Sequence, residues 1–401
     1  MFLFDKIKVL RYIHYMNNLV SLKYLDDYRL TVVDDAVRSC FADLNISRII
    51  KPRSKILLKI NIPGTYAPDQ AKTSHPDIVR GIVDVLTEMN VSVTVIDSPY
   101  GKYSQAELEK VYLETGMLDM ANKTKCALNH NLHTYTQEVP NGKMLKFVEL
   151  LDEINNADCI INIGKINVDE RFGYTGAINN ILGFVPGDRK LQLINRLSLI
   201  DDYNNAILDI YSVIKDKLVL NIMDGVVGLQ ANGTQKMLSF IAMSEDVFSL
   251  DAVCQDIIGV KYSDSILANA EEKGYFNPNK PYKTIGENIE KFKTSHFVNN
   301  EQPAKLHKTE AEQKKKLKKY QTCVSIDPKV CKGCGVCVKI CPAGAINMKY
   351  DKNGDLFASI DLKKCIFCNK CVIACPYSVA ELKRPKQDAI ISKQISRQKD
   401  E

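Results

Sequence analysis

The chain has 401 residues, of which 45% are hydrophobic and 25% charged, and its formal net charge is +6. This composition is typical of a globular protein of two or three domains, whose core is large enough to need no covalent staples. No apolar run approaches the ~20 residues of a membrane span, and charged residues interrupt the N-terminal stretch, so we expect neither a membrane span nor an export signal.

The first two-thirds of the chain alternates short apolar strand patterns with helical patterns. The predicted strands span 55–60, 91–97, 158–164, 217–224 and 240–243, and the predicted helices span 76–89, 104–115 and 245–258, the last capped by Ser244. Short apolar strands separated by helices predict an α/β domain with a largely parallel sheet that is covered on both faces. We place this domain at 29–297. Residues 1–28 form an N-terminal extension, for which an added strand, a helix or an irregular segment stays open.

Polar residues cluster where several of these strands end. They are Lys59, Asn61, Thr73, Ser74, His75, Asp97, Ser98, Lys165 and Asp224. Ligands of α/β sheets bind outside the carboxyl ends of the strands, so this set predicts a binding site there. Within it, the catalytic candidates are Lys59, His75, Asp97, Lys165 and Asp224, because a lysine or histidine near a carboxylate can act as acid or base. A structural role stays open for each; His75, for example, also starts a predicted helix.

Glycines in the second half of this domain do not form a nucleotide-binding motif. Neither GxGxxG nor a Walker lysine is present around Gly225, Gly228 and Gly233. We interpret these three, with Gly183 and Gly187, as residues of sharp turns near a binding cleft.

Residues 298–321 form a lysine-rich linker, with seven lysines between Lys305 and Lys319; a binding element is the alternative. The chain from 302 to 401 carries 21 Lys and Arg against 10 Asp and Glu. A nucleic-acid binder that uses this excess is the least favoured function, because the lysines lack interleaved aromatic residues for stacking on bases. The positive charge also offsets the negative charge of the metal clusters inferred below.

A repeated cysteine pattern is the strongest signal in the sequence. Cys331-x2-Cys334-x2-Cys337-x3-Cys341-Pro342 recurs 34 residues later as Cys365-x2-Cys368-x2-Cys371-x3-Cys375-Pro376. This is the bacterial ferredoxin spacing, in which the fourth cysteine of each run ligates the other cluster. It predicts two [4Fe–4S] clusters, one held by Cys331, Cys334, Cys337 and Cys375, the other by Cys365, Cys368, Cys371 and Cys341. A zinc site would instead present its ligands as CxxC pairs.

The predicted ferredoxin-like domain is a small α+β unit at 322–385, followed by a polar tail at 386–401. Its expected core is Val336, Val338, Ile340, Ile346, Ile366, Val372, Ile373 and Val379. The other five cysteines, Cys40, Cys126, Cys159, Cys254 and Cys323, stand singly, which is typical of reduced thiols in a cytoplasmic protein. Cys159 and Cys254 lie in apolar segments and are interpreted as small buried hydrophobes.

Several segments of the α/β region resemble the prokaryotic domain-of-unknown-function family 362, which is often fused to a ferredoxin module. They are 55–61 (KILLKIN), 73–80 (TSHPDIVR), 95–99 (VIDSP), 158–165 (DCIINIGK), 175–187 (TGAINNILGFVPG), 224–233 (DGVVGLQANG) and 244–259. The resemblance covers about 29–260 and implies no particular reaction. This chain departs from the family pattern after Lys165, where a second lysine and a histidine are absent, and at Asn179, where a lysine is common.

Two functions stay open on these grounds. The first is a ferredoxin-linked oxidoreductase that passes single electrons through its two clusters to a small-molecule substrate in the α/β domain. The second is a non-catalytic electron carrier or docking partner that serves a separate redox partner protein. The sequence gives neither the substrate nor the electron donor.

Overall fold

The fold is taken from a computed structural model that describes residues 18–169, 172–197, 199–294, 297, 323–341, 343–361, 364–365, 371, 374–377 and 379–383. The predicted linker at 298–321, the polar tail at 386–401, and Cys368 lie outside the described residues. In the part of the chain that is described, no helix is long and apolar enough to cross a membrane.

Eleven helices are described in chain order. They are α1 (Leu30–Asp43), α2 (Pro76–Glu88), α3 (Gln105–Glu114), α4 (Met117–Asn122), α5 (Glu153–Asn156), α6 (Ala177–Asn180), α7 (Gly187–Arg196), α8 (Ile200–Ile214), α9 (Val247–Ile258), α10 (Ile266–Glu272) and α11 (Val336–Ile340). Short 3-10 turns lie at Ile46–Arg48, Pro68–Gln70, Ile181–Phe184, Tyr262–Asp264 and Ile289–Lys291.

The described strands belong to one large sheet and three two-stranded sheets. They are β1 (Leu19–Tyr24), β2 (Lys55–Lys59), β3 (Ser92–Ile96), β4 (Ala127–Leu128), β5 (Thr134–Glu138), β6 (Phe147–Leu151), β7 (Cys159–Asp169), β8 (Gly173–Thr175), β9 (Leu218–Leu229), β10 (Gln235–Ser244), β11 (Lys283–Gly286), β12 (Cys323–Ile326), β13 (Ile346–Tyr350), β14 (Leu356–Ile360) and β15 (Ala380–Lys383).

The large sheet has the order β11-β1-β10-β9-β7-β2-β3-β4, with β8 paired to β7. Its central strands β9, β7, β2, β3 and β4 are parallel, while β10 is antiparallel to both of its neighbours. The predicted α/β fold with a largely parallel sheet is therefore confirmed. Within 1–28, for which three options were open, Leu19–Tyr24 adds a strand between β10 and β11.

Both faces of this sheet are buried. Along β2, Ile56 and Leu58 pack in one apolar cluster with helices α1 to α4, whereas Leu57 packs in a second cluster with α8 and α9. The same alternation holds for Ile160 and Ile161 of β7. Successive side chains of a strand point to opposite faces, so a continuous apolar run is what a sheet covered by helices requires.

The start of α9 differs from the prediction. The Asp246 carboxylate accepts hydrogen bonds from the backbone N–H groups of Phe248 and Ser249 and is the N-cap. Ser244 instead ends β10, where its hydroxyl donates to the Leu19 carbonyl oxygen. The helix begins two residues later than predicted. Because an N-cap lies directly before the first helical residue, the cap is Asp246 and not Ser244.

The C-terminal region repeats its architecture as it repeats its sequence. β12 pairs with β15, and β13 pairs with β14, both antiparallel. Cys323 pairs with Lys383 in the first sheet, and Phe357 pairs with Lys349 in the second. Phe357 lies one repeat of 34 residues after Cys323, and Lys349 lies one repeat before Lys383. Each sheet thus combines one strand from each half, so the two halves are interleaved.

Among the described residues, cysteines make up half of the buried core of this region. Ala345, Ile346 and Ala358 are buried together with Cys337, Cys365 and Cys371. Of the predicted core, Ile346 is buried and Val338 packs against it, but Val336 and Ile340 are exposed by 36% and 41%. Ile366, Val372 and Ile373 lie outside the described residues. With so few apolar side chains, metal–thiolate bonds have to supply much of the folding energy.

Candidate functional site

The carboxyl ends of β2 and β7 form the topological switch point of the sheet. From β2 the chain continues through β3 and β4 on one side, then returns to place β7 on the other side. Crevices at such points are where ligands of open α/β sheets bind. Seven of the nine polar residues predicted at strand ends lie at a strand end or in the loop that follows it. The prediction is wrong for Lys165 and Asp224, which lie within the longer strands β7 and β9 and pair with each other there. The structure also divides the ionisable members of the nine between the two faces of the sheet.

The first group lies on the face covered by α8 and α9 and is centred on a buried ion pair. Lys59 Nζ lies 3.0 Å from Asp97 Oδ1 and donates to Asn180 Oδ1 (2.9 Å) and to the Ile60 carbonyl oxygen (2.5 Å). Asp97 accepts from the backbone N–H groups of Ile62 (2.5 Å) and Ser98 (2.7 Å). Burial lowers the pKa of Lys59, and the charge of Asp97 acts in the opposite direction.

Gly183 allows the Lys59–Asp97 ion pair to pack directly against its backbone. A Cβ atom at this position would lie 2.1 Å from Asp97 Oδ1 and 2.3 Å from Lys59 Nζ. Gly183 lies in the 3-10 turn Ile181–Phe184, in agreement with the predicted turn, and its missing side chain permits the close approach of the ion pair. Gly233, with φ of +83°, occupies a turn conformation that favours glycine.

Lys190 completes the first group and was not predicted from the sequence. It is buried, donates to the Ser98 carbonyl oxygen, and lies 4.8 Å from the ring centroid of Tyr100. Burial lowers the pKa of Lys190 to about 8; Asp97 opposes this shift and Lys59 adds to it. The signal in the sequence was slight, since Lys190 stands on a polar helix and only the fold brings α7 against β3.

The depressed pKa of Lys190 predicts a pH-dependent stability. The unfolded chain, with a lysine pKa near 10.5, binds more protons than the native state between about pH 8 and 10.5, so stability should rise with pH across this window. In Lys190→Met this rise should be smaller by up to about 3 kcal/mol, because one pKa unit corresponds to about 1.36 kcal/mol. Urea unfolding of both proteins at several pH values, with exposed Lys125→Met as control, measures the difference. Equal slopes in wild type and Lys190→Met would contradict the assignment.

The second group lies on the opposite face, against α2. Lys165 Nζ is 2.9 Å from Asp224 Oδ2, and the Tyr28 hydroxyl donates to Asp224 Oδ1 (3.1 Å). His75 stacks on Tyr28 with ring centroids 3.7 Å apart, and its backbone N–H donates to Asp224 Oδ2 (3.4 Å). Burial raises the pKa of Tyr28 and lowers that of His75, so the phenol keeps its proton and the imidazole is neutral.

The structural role considered for His75 is present. Its Nδ1 accepts a hydrogen bond from the backbone N–H of Asp77 (3.3 Å), so the side chain caps α2 while Pro76 opens the helix. Tyr28, which joins His75 to the ion pair, lies outside the strand-end segments and gave no sequence signal.

Buried amides and a serine connect the two groups through the sheet edge. Asn180 donates to Asn162 Oδ1 (2.8 Å) and to the Ile163 carbonyl oxygen (2.9 Å). The Ser74 hydroxyl accepts from the backbone N–H of Asn61 (2.9 Å) and lies 3.4 Å from the same carbonyl oxygen. A polar layer therefore lies between the two apolar cores at the switch point.

Two hydroxyl groups at this edge are buried without a hydrogen-bond partner among the described residues. They are Ser98 Oγ in the first group and Thr73 Oγ1, next to Ser74. An unsatisfied buried hydroxyl costs roughly 1–3 kcal/mol, and such groups in native structures call for an explanation. A ligand oxygen or an ordered water at the edge would satisfy both. Chemically, a lysine with a depressed pKa beside a carboxylate and an unpaired hydroxyl can bind an anionic or carbonyl oxygen and move a proton to it.

The cysteines of the ferredoxin-like region surround a separate cavity. Its lining includes Cys331, Cys334, Cys337 and Cys375, together with Gly335, Pro376 and Tyr377. This cavity is therefore bordered by three cysteines of the first run and by the last cysteine of the second run. Ligation of one cluster by this crossed set stays a prediction. The donor set fits a [4Fe–4S] cluster, because four thiolates around one cavity match its ligation.

The second ligand set is described in part. Cys365 and Cys371 are buried in the small core, and Cys341 packs against it. Cys341 Sγ accepts a hydrogen bond from the backbone N–H of Ala345 (3.3 Å), and such N–H···S contacts tune cluster potentials. The predicted fourth ligand, Cys368, lies outside the described residues, so this set stays a prediction.

Among the described residues, a hydrogen bond joins the α/β domain to the second ligand set. The Arg196 guanidinium, at the end of α7, donates to the carbonyl oxygen of Cys365. Burial lowers the pKa of Arg196, and Cys365 acts in the opposite direction.

Comparison with known proteins finds one family match in each of two parts of the chain. Residues 56–256 match the family described as domain of unknown function (DUF362), and residues 308–388 match a 4Fe-4S dicluster domain. The second match confirms the prediction of two [4Fe–4S] clusters. The thylakoid-associated protein sll1697 of Synechocystis sp. (strain ATCC 27184 / PCC 6803 / Kazusa) is 23% identical over 269 residues, which are 65% of this chain and 80% of that protein.

Among solved structures, the lactate racemase apoprotein from Thermoanaerobacterium thermosaccharolyticum aligns with a TM-score of 0.37 and 13% identity. The aligned region covers 61% of each chain, and a similarity at this level carries no functional conclusion.

Proposed function

This chain belongs to the DUF362 family and carries a 4Fe-4S dicluster domain, and from that premise we propose that it is a ferredoxin-linked oxidoreductase. Two [4Fe–4S] clusters make it an iron–sulfur electron-transfer protein. The proposal adds a reaction: the α/β domain exchanges single electrons with a small-molecule substrate held beside Lys59, Asp97, Ser98 and Lys190.

The observation that carries the proposal is the position of α7. Lys190, near its start, belongs to the polar group at the switch point, and Arg196, its last residue, contacts the second cysteine run. Under this proposal, the acid–base groups of the site and the second cluster lie toward the two ends of one short helix. Tyr100, in the loop at 99–101, lies next to Lys190 and is 43% exposed, so its side chain is what separates Lys190 from solvent on this side.

The alternative is a non-catalytic electron carrier. Full burial of both lysine–aspartate pairs favours it, since paired charges of this kind also occur as purely structural elements. Removal of the unpaired Ser98 hydroxyl should weaken ligand binding if the polar group is a substrate site, and should have no effect on binding if it is a structural core. This variant therefore separates the oxidoreductase from the electron carrier.

Ser98→Ala tests the proposal with little structural disturbance. The hydroxyl has no protein partner to lose, so the free energy of unfolding should stay the same or increase. Ligand affinity should fall about tenfold, because a lost hydrogen bond is worth on the order of 1.4 kcal/mol. Thermal shifts of the anaerobic holoprotein with a panel of small carboxylates, phosphates and carbonyl compounds measure binding, and turnover is followed with reduced methyl viologen as electron donor.

Two matched variants complete this experiment. Thr73→Val removes the unpaired hydroxyl near the opposite face, and Gln255→Met removes an unpaired buried amide on α9, outside the switch point. We expect the binding response to be weakened in Ser98→Ala and unchanged in Gln255→Met. If only Thr73→Val weakened ligand binding, the ligand site would lie on the sheet face of Lys165 instead. The carrier function is favoured if no compound in the panel shifts the wild type or if all variants respond alike.

We also propose a reducing compartment, the cytoplasm, as the location. Cys40, Cys126, Cys159 and Cys254 are free thiols in the described part of the chain. Unpaired cysteines and iron–sulfur clusters both persist where thiols are kept reduced.

A further inference from the structure

Helix α7 makes a specific polar contact at each end. Lys190 reaches the Ser98 carbonyl oxygen at the sheet edge, and Arg196 reaches the Cys365 carbonyl oxygen. Arg196 follows Lys190 by six positions, which corresponds to about 9 Å along a helix. The helix is therefore a short, rigid spacer between the polar group and the second cysteine run.

The Arg196 contact holds a part of the chain that would bind a cluster. Cys365 is the first cysteine of its run, and its carbonyl belongs to the backbone of the ligand loop. A hydrogen bond from a guanidinium to such a carbonyl is charge-assisted and directional. It fixes the position of the loop and brings a positive charge close to the second ligand set.

The first ligand set has different surroundings. Cys334 is exposed, and the cavity that it lines with Cys331, Cys337 and Cys375 is bordered by Val336 and Tyr377, which are 36% and 53% exposed. Exposed apolar side chains around a metal-ligand loop suit a transient contact with another protein. Lys332 and Lys339 are exposed on the same loop and helix and favour an acidic partner surface.

We propose that Arg196 orients the ferredoxin-like domain so that the second cluster faces the α/β domain and the first faces an external, acidic one-electron donor protein. The two ligand sets would hold the clusters, and these would supply one-electron transfer from the donor protein toward the α/β domain, without proton transfer or any change in covalent bonds. The inference rests on the proposed electron-transfer function but not on the identity of a substrate.

The charge of Arg196 also sets a direction. A reduced cluster is one unit more negative than an oxidised one, so a nearby cation stabilises the reduced form. Arg196 thus raises the reduction potential of the second cluster above the value that it would have without this charge. This contribution favours electron transfer toward the α/β domain.

The test is an EPR-monitored redox titration of the anaerobic holoprotein without substrate. Arg196→Gln should shift the midpoint potential of one cluster to more negative values, equivalent to about a tenfold change in its reduction equilibrium. Arg196→Lys should restore most of the potential, because it keeps the charge. The shifted signal should be the one that disappears in Cys371→Ala, which identifies the second cluster.

Arg189→Gln is the matched control. Arg189 lies on the same helix and pairs with Glu149 and Asp188, so its removal changes the net charge equally while Arg196 keeps its contact with Cys365. Equal shifts in Arg189→Gln and Arg196→Gln would overturn the proposal, as would a shift in the first cluster or no shift at all. Because no substrate is present, failure here is distinct from failure of the proposed reaction.

Discussion

Replacing Cys375 with alanine is expected to remove the cluster bound by the first cysteine run, although Cys375 lies in the second. The cavity lined by Cys331, Cys334 and Cys337 includes Cys375, and a cluster that loses one of four thiolates is destabilised. The iron content of the anaerobically reconstituted protein should fall from about eight to about four atoms per chain. Iron and sulfide analysis, with EPR spectroscopy, measures the loss.

The companion variant is Cys341→Ala, which should remove the other cluster instead. Cys126→Ala, a free thiol of the α/β domain, serves as the control and should keep all of its iron. The remaining EPR signal is assigned by comparison with Cys334→Ala and Cys371→Ala. If Cys375→Ala retained the signal lost in Cys334→Ala, the crossed ligand assignment would be wrong.

Asp97→Ala is expected to destabilise the α/β domain by about 3–5 kcal/mol, because it leaves the Lys59 ammonium buried without its carboxylate. Lys59 is fully buried, and the same mutation leaves the N–H groups of Ile62 and Ser98 without their acceptor. Urea unfolding followed by circular dichroism gives the change in the free energy of unfolding.

The double variant Lys59→Met with Asp97→Asn is the control for this prediction. It removes both charges while the asparagine oxygen keeps an acceptor for one backbone N–H, so most of the lost stability should return. A double variant as unstable as Asp97→Ala would mean that the two side chains are not energetically coupled. The same conclusion would follow if the losses of unfolding free energy in Lys59→Met alone and Asp97→Asn alone added up to the loss in the double variant.

The sequence by itself determined the metal chemistry and the class of fold. Cluster ligation depends on spacing within short loops, so the two cysteine runs identified both clusters without any knowledge of the fold. The apolar runs at 55–60 and 158–164 have the period of buried strands, which is also a local property, and they appear as β2 and β7. The helix at 76–89 likewise carries its own start signal in His75 and Pro76.

The tertiary structure alone decided which polar residues meet. Local patterns placed Lys59, Asp97, Lys165 and Asp224 at strand ends, but strand order and side-chain alternation divide them between two faces. Lys190 approaches Asp97 only because α7 packs across the end of β3. These contacts join segments far apart in the chain. Their geometry is set by how the strands are ordered and how the helices pack, and no short stretch of sequence encodes either.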